Sequence, residues 1–300
     1  VKHSLSRLLT VITSLLVIVL VSVFAIFARA AYDHQQDARR IVSVVAVKRD
    51  MLSSQQALRV EGGTLDLAME EDAPASKAML NEVAALHART QKSFAHLQQH
   101  ASNHLTAGYA EILEQYVAYD RMLPAVLDAA ARPIDQRRQQ VIADRLQIIA
   151  ALLRDMTRKS NSLSRSLASA DPMINELLRV NDVSWQARSD AGNDRHVIMD
   201  AILEGGIPAS NTLADVAEMK GRVATSWAIV ADDARLPEFP PALKAVVARA
   251  NWLYFTEFTA HRSQVIEALS SGRPAPVSAK EWVRLSTRGI SSLMAVASTA

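Results

Sequence analysis

Cysteine is absent from the 300 residues. Disulfides and thiolate metal sites are therefore excluded, while the redox compartment is left open. Glycine is scarce, with 9 residues, and aromatics make up 5% of the chain. That shortage disfavours a sheet-rich fold, and the abundance of Ala, Leu, Ser and Arg favours helices. An excess of one charge is also missing. Lys and Arg number 33 against 31 Asp and Glu, a formal charge of +2, so nothing marks a nucleic-acid partner. No glycine-rich phosphate loop, no G-x-S-x-G and no H-E-x-x-H occurs. Neither enzymatic activity nor a cofactor is expected. The acidic run Glu70-Glu71-Asp72 falls in an expected turn, where solvation accounts for it.

What is present begins with Leu8–Phe27, LLTVITSLLVIVLVSVFAIF, twenty residues without a charge. Twenty helical residues span about 30 Å, the thickness of a bilayer core. A cleaved signal peptide is the competing reading: Lys2 and Arg7 would form its basic start, and Ala28-Arg29-Ala30 resembles a cleavage site. Signal h-regions, however, run about 7–15 residues. This run is longer and a helical pattern continues out of it, so an uncleaved anchor is expected. Arg29, Arg39 and Arg40 follow the run, so basic residues flank both ends and decide orientation only weakly. A short tail inside and a long region outside is the simplest topology. The chain begins with Val1 and shows no second run of membrane length before Ala300. The expectation is a native polypeptide that continues past this end.

One segment is written twice. PASKAMLNEVAALHARTQKSF starts at Pro74 and PASNTLADVAEMKGRVATSW at Pro208. Leu80 answers Leu213, Glu82-Val83-Ala84 answers Asp215-Val216-Ala217, Leu86 answers Met219, Arg89 answers Arg222, and Ser93-Phe94 answers Ser226-Trp227. Upstream, Leu58-Arg59 precedes Gly62-Gly63 and Ala187-Arg188 precedes Gly192. The offset of about 130 residues is the length of a small domain, too long for a solenoid repeat.

Breakers divide the chain into eight expected helices. The first ends before Ala73-Pro74. Ser76 caps the second, which ends near Ala101-Ser102-Asn103. The third stops at Arg132-Pro133 and the fourth starts near Asp135. Asp171-Pro172 opens the fifth, which ends at Gly205-Gly206; Ser210 opens the sixth, which stops at Leu236-Pro237. Pro240-Pro241 opens the seventh, Ser271-Gly272 ends it, and Ser278 opens the eighth with Glu281 completing a capping box. Leu146, Ile149, Leu153 and Met156 recur at helical steps, as a core stripe does. The expected fold is all-α: an N-terminal transmembrane helix, then two antiparallel four-helix bundles related by internal duplication. Residues 1–30 would hold the tail and anchor, 31–170 the first bundle and 171–300 the second. A chain that returns to the membrane needs a reversal near Asp171; a continuous kinked rod is the alternative.

Arg59 and Arg188 hold matching places in the two copies, and Arg195 follows Arg188 by about two turns. An arginine facing a bundle interior is costly without an anion, and its planar fork suits a carboxylate, nitrate or similar oxyanion. The bland alternative pairs each with a protein acid such as Glu61, Asp66 or Asp190. Trp185, Trp227, Trp252 and Trp282 sit on four expected helices. They would converge on one core, as filling or as the amphipathic wall of a pocket. His96, His100 and His104 are spaced for a metal-bridging face, but the expected break after His100 makes a polar bundle tip the better reading.

The anchor at Leu8–Phe27, LRVEGGTLDLAM at Leu58–Met69, WQARSDAGNDR at Trp185–Arg195 and PVSAKEWVRLSTRGISSLM at Pro276–Met294 carry a resemblance. The chain resembles the sensor region of bacterial methyl-accepting chemotaxis proteins, of the nitrate/nitrite-sensing-like or helical bimodular type. Nitrate-sensing modules carry an Arg-Glu-Arg-Gly-like run, where this chain reads Arg59-Val60-Glu61-Gly62-Gly63 and lacks the second arginine. The resemblance implies a periplasmic helical sensor on the inner membrane that works as a homodimer. It also implies continuation into a second membrane helix, a HAMP linker and a signalling domain. A small ligand, a small anion among the candidates, would sit at Arg59, Arg188, Arg195 and Trp185. A histidine kinase or diguanylate cyclase could use the same input region. A single-pass anchored helical adaptor is the reading from a different class.

Overall fold

The computed structural model describes residues 2–70, 72–104, 108–167, 172–206 and 210–300, with the side chains of 2–11, 102–104 and 210–212 excepted. Among these residues there is helix and no strand. The elements are α1 (Lys2–Glu70), α2 (Lys77–His104), α3 (Tyr109–Ala130), a 3-10 turn (Ile134–Gln136), α4 (Gln139–Leu167), α5 (Pro172–Leu203) and α6 (Ser210–Asp233). There follow α7 (Pro241–Ala250), a π-helical stretch (Asn251–Phe258), α8 (Thr259–Ser270) and α9 (Ala279–Thr299). The run from α7 through α8 is unbroken, so the expected seventh helix is one rod with a π-helical middle.

The chemistry of the breakers explains the ends. Ser76 Oγ accepts the Met79 N–H at 3.2 Å and Ser278 Oγ accepts the Glu281 N–H at 3.2 Å, so both serines satisfy an orphan donor. The capping box is only half made, because the Glu281 carboxylate turns to Arg284 at 2.8 Å rather than back to Ser278. Gly205 and Gly272 lie at φ +75° and +67°, the left-handed conformation that closes α5 and α8 at little steric cost. Two expected boundaries move. α2 continues through Ala101-Ser102-Asn103 to His104, since none of these residues breaks a helix outright. α4 starts at Gln139, because Asp135 is held in the 3-10 turn that follows Pro133. Glu71 and Asp171, two expected turn residues, lie outside the described residues.

The chain forms two compact units, Val1–Val47 and Lys48–Ala300, and α1 contributes to both. In the first, Ile12–Phe27 is a helix whose apolar side chains are exposed all round, Phe24 and Phe27 by 66% and 69%. α1 is long and apolar enough to cross a membrane, with the apolar run at its N-terminal end.

In the second unit, side-chain contacts give each helix its direction. Lys48 of α1 meets Ser164 of α4 and Asp182 of α5, both at 2.6 Å. Further along α1, Asp66 meets Arg145 of α4 and His196 of α5. α4 therefore runs against α1 and α5 runs with it. Glu61 contacts His87 of α2 and Asp50 contacts His100, so α2 is antiparallel to α1. Along α5, Asn181 reaches the Ala297 carbonyl and the Arg195 carbonyl accepts from Trp282, so α9 is antiparallel to α5. Arg179 pairs with Asp233 while Asp194 and Val216 share Arg262, so α6 is antiparallel as well.

One large apolar core gathers Trp227, Phe258, Trp282 and Leu293 from α6, the π-helical stretch and α9 against Ile198 of α5. A separate one joins Leu65 and Met69 of α1 to Val83, Leu123 and Val126. Burial of each such large side chain stabilises by about 1.5–3 kcal/mol. Residues of the repeated segment serve alike. Val83 and Val216 are buried, and Phe94 stacks on Tyr116 at 3.8 Å as Trp227 stacks on Phe255 at 5.3 Å.

Candidate functional site

α1 and α5 run side by side with glycines where they come close. A Cβ at Gly63 would stand 2.6 Å from Nη2 of Arg195, and one at Gly192 would stand 2.9 Å from Nη1 of Arg188. The missing side chains leave room for guanidinium groups at this seam. Arg59, Arg188 and Arg195 line one cavity of about 300 Å³, walled on the third side by Leu146, Ile149 and Leu153 of α4. The expected core stripe of α4 is thus split. Met156 is buried, but Leu146 is 47% exposed and the three residues before Met156 face the cavity, because α4 leaves space opposite the arginines.

The arginines lack acidic partners. Arg188 is 3% exposed, and its only hydrogen bond among the described residues goes from Nε to Gln56 Oε1 at 2.8 Å. Burial first, then the charges of Arg59 and Arg195, hold its pKa well below the usual range. Arg59 is pushed down to about 10 by burial and by Arg195, against the pull of Asp190, and its Nε is sealed without a partner. Arg195 is lowered by burial, with Asp66 opposing. The nearby acids are committed elsewhere. Asp66 holds Arg145, Glu61 accepts from Tyr119 at 2.6 Å, and Asp190 accepts from Gln186 at 3.0 Å. Among the described residues no carboxylate comes within ion-pairing distance of the three guanidiniums. Like charges gathered in a partly dry seam are unfavourable until an anion joins them.

Trp185 stands behind this cluster. Its ring lies 5.7 Å from the Arg59 guanidinium carbon and 5.6 Å from that of Arg188, a cation–π contact to each. It packs with Leu52, Met294 and Ala297 and lines neither cavity described here. The tryptophans do not converge as expected. Trp227 and Trp282 share the large core, while Trp252 is 54% exposed, since the π-helical stretch turns it outward.

Arg145 was not among the candidates. It is 1% exposed, lines the same cavity and is bound to Asp66. Its signal in the sequence is a lone arginine in the apolar row Arg145-Ile149-Leu152-Met156.

Arg188, Arg195 and Gly63 also border a larger cleft of about 550 Å³. Its walls come from α2 and α9, with Met79, Leu86, Val283 and Ile290 among them. At the end of α1, Glu70 stands with His196 and Asp200, their ligand atoms within 4.8 Å of one another. That half-buried group could hold a divalent cation, and the i, i+4 pair on α5 is its sequence signal. Burial, then Asp200 and Asp66, push the Glu70 carboxyl up to about 8. The histidine series of α2 makes no such group: His96 is exposed, His100 bonds Asp50, and the His104 side chain lies outside the described residues.

No protein-family model and no curated protein matches the chain. Its fold is similar to that in the structure of the NasR transcription antiterminator, with a TM-score of 0.61 at 14% identity, over 92% of this chain and 71% of that one. At that identity, the likeness is one of fold alone.

Proposed function

We propose that this chain is the membrane-anchored sensor region of a chemoreceptor-type protein, and that it takes a small oxyanion at the seam of α1, α4 and α5. The observation that carries the reading is the group of Arg59, Arg188 and Arg195, three guanidiniums on one cavity whose lining carboxylate, Asp66, is bound to Arg145 and pairs with none of them. The matched places of Arg59 and Arg188, and of the two aromatic stacks, support a duplicated four-helix module. The exposed apolar run of α1 supports an anchor; a helical body on the periplasmic side of the inner membrane, working as a homodimer, is what the resemblance implies for such a sensor.

An anion neutralises charge that otherwise forces the guanidiniums apart, so it favours the arrangement in which α1 and α5 lie closest. Helix interfaces accommodate shifts of about 1–2 Å, and α1 carries such a shift toward the anchor. Isothermal titration of the full chain with sodium nitrate and with sodium acetate tests the reading. One of the two binds, and Arg188→Gln abolishes it. No heat from either anion, or binding that survives Arg188→Gln, rejects the site. The topology has its own test, since a chain without cysteine accepts a single label. Ala84→Cys, exposed on α2, reacts with a membrane-impermeant maleimide in intact cells if the body is outside.

A further inference from the structure

The oxyanion reading leaves the larger cleft unused, and its charges are of two kinds. Its exposed lining charges cancel: Glu82 and Glu281 against Lys280 and Arg284, with Glu281 already bound to Arg284 at 2.8 Å. Two more cations line it, Arg188, buried, and Arg195, half-buried, with no acid paired to either among the described residues. Aliphatic side chains make up much of the remaining wall: Leu67, Met79, Leu86, Val283 and Ile290.

A three-oxygen inorganic anion is satisfied within the smaller cavity and leaves these walls bare. A space of about 550 Å³ with apolar sides and a few convergent polar groups falls in the range of sites for organic ligands. Guanidiniums without acids beside apolar walls call for a ligand with one anionic end and an apolar body. A dicarboxylate would bring its second charge against the walls, and a neutral molecule would leave the arginines unanswered.

We propose that the ligand is an amphipathic monocarboxylate, its carboxylate seated on Arg188 and Arg195 and its apolar body lying between α2 and α9. This rests on the oxyanion reading of the same arginines and narrows it to a class. The cleft supplies selectivity and the guanidiniums supply the charge requirement. Nitrate binds the same arginines without using the cleft.

Isothermal titration of the full chain in lipid nanodiscs with sodium hexanoate, sodium nitrate and hexanamide tests it. Hexanoate is expected to bind at least tenfold tighter than nitrate, and hexanamide not to bind. Leu86→Asp and Val283→Asp, on different helices, each weaken hexanoate at least tenfold and leave nitrate unchanged. Thermal melting identifies a variant that has lost its fold, and the ratio of hexanoate to nitrate on the unaltered chain decides the matter without either. Nitrate binding as tightly as hexanoate overturns the monocarboxylate while leaving the oxyanion site standing. Equal binding of hexanoate and hexanamide overturns it too, since the arginines would then play no part. No binding of any anion overturns both readings together.

Discussion

Two buried acids, Glu61 on α1 and Asp194 on α5, are accommodated in opposite ways. Glu61 is fully buried, accepts from Tyr119 Oη at 2.6 Å and meets the titratable His87 Nδ1 at 2.9 Å, with Asp120 on the far ring nitrogen at 2.9 Å. Asp194, 1% exposed, meets the fork of Arg262 at 2.6 and 2.7 Å, and Arg262 also reaches the Val216 carbonyl at 2.9 Å. Arginine stays charged across the working range of pH, whereas histidine titrates within it. Around Glu61 the interior is therefore adjustable, and around Asp194 it is fixed.

The largest expected effect comes from breaking the fixed pair. Asp194→Ala leaves Arg262 buried without its anion and destabilises by about 3–5 kcal/mol, read from the midpoint of denaturant unfolding. The matching change in the adjustable interior is milder. Glu61→Gln keeps an acceptor for Tyr119 and costs about 1–3 kcal/mol. Equal losses would erase the contrast.

Glycines draw the same line. At Gly289 of α9, a Cβ would lie 3.1 Å from the Phe258 Cβ and 3.3 Å from the Tyr254 ring. Gly289→Ala overpacks that aromatic core and is expected to destabilise by about 1–3 kcal/mol. At Gly63 the obstacle is the free end of Arg195, which can swing away. Gly63→Ala leaves the melting temperature unchanged or raised, because alanine favours helix by about 0.5–1 kcal/mol, yet it weakens anion binding severalfold. A parallel fall in stability and binding would show that the seam is as rigid as the core.

The smallest effect is the slope of stability with pH. The hydrogen bond to Glu61 raises the His87 pKa against the opposing cost of burial. The folded state then holds a proton that the unfolded chain gives up, so the stabilisation is complete below about pH 6.5 and is lost as pH rises through the folded value. Glu70 has the same sign: an ordinary carboxyl near 4.5 unfolded and about 8 folded, so stability declines between those values. His87→Asn flattens the slope above about pH 6.5 and Glu70→Gln flattens it from about pH 5 to 8. A slope that rises with pH in that window would contradict both assignments.

Much of the helical plan was legible. Proline and glycine act through φ and the missing N–H, which are local properties, so the ends at Glu70, Ala130, Ser270 and Ser278 could be read directly. The repeat marked Arg59 and Arg188 as equivalent but placed them in separate bundles; that they share one cavity follows from α5 lying along α1, which no local pattern encodes. The partners of Asp66 and Glu61 were not legible. Arg145, His87 and Tyr119 come from three other helices, and their register depends on crossings that local spacing does not encode. Leu146 and Ile149 misled for the same reason. Helical period identifies a face, and only packing decides whether that face meets another helix or a cavity.

The π-helical stretch at Asn251–Phe258 carries a consequence for how this chain tolerates length changes. Such a turn behaves as an α-helix into which an extra residue has been slipped. Each residue advances a helix by about 100°, so the stretch sets the angular phase between α7 and α8. Deletion of the outward-facing Trp252 would remove a side chain that packs little, yet it would swing Arg262 away from Asp194 or Leu243 away from the core. A ragged segment of helix thus acts as a phase lock, and single-residue indels there should be tolerated far less than substitutions at the same positions.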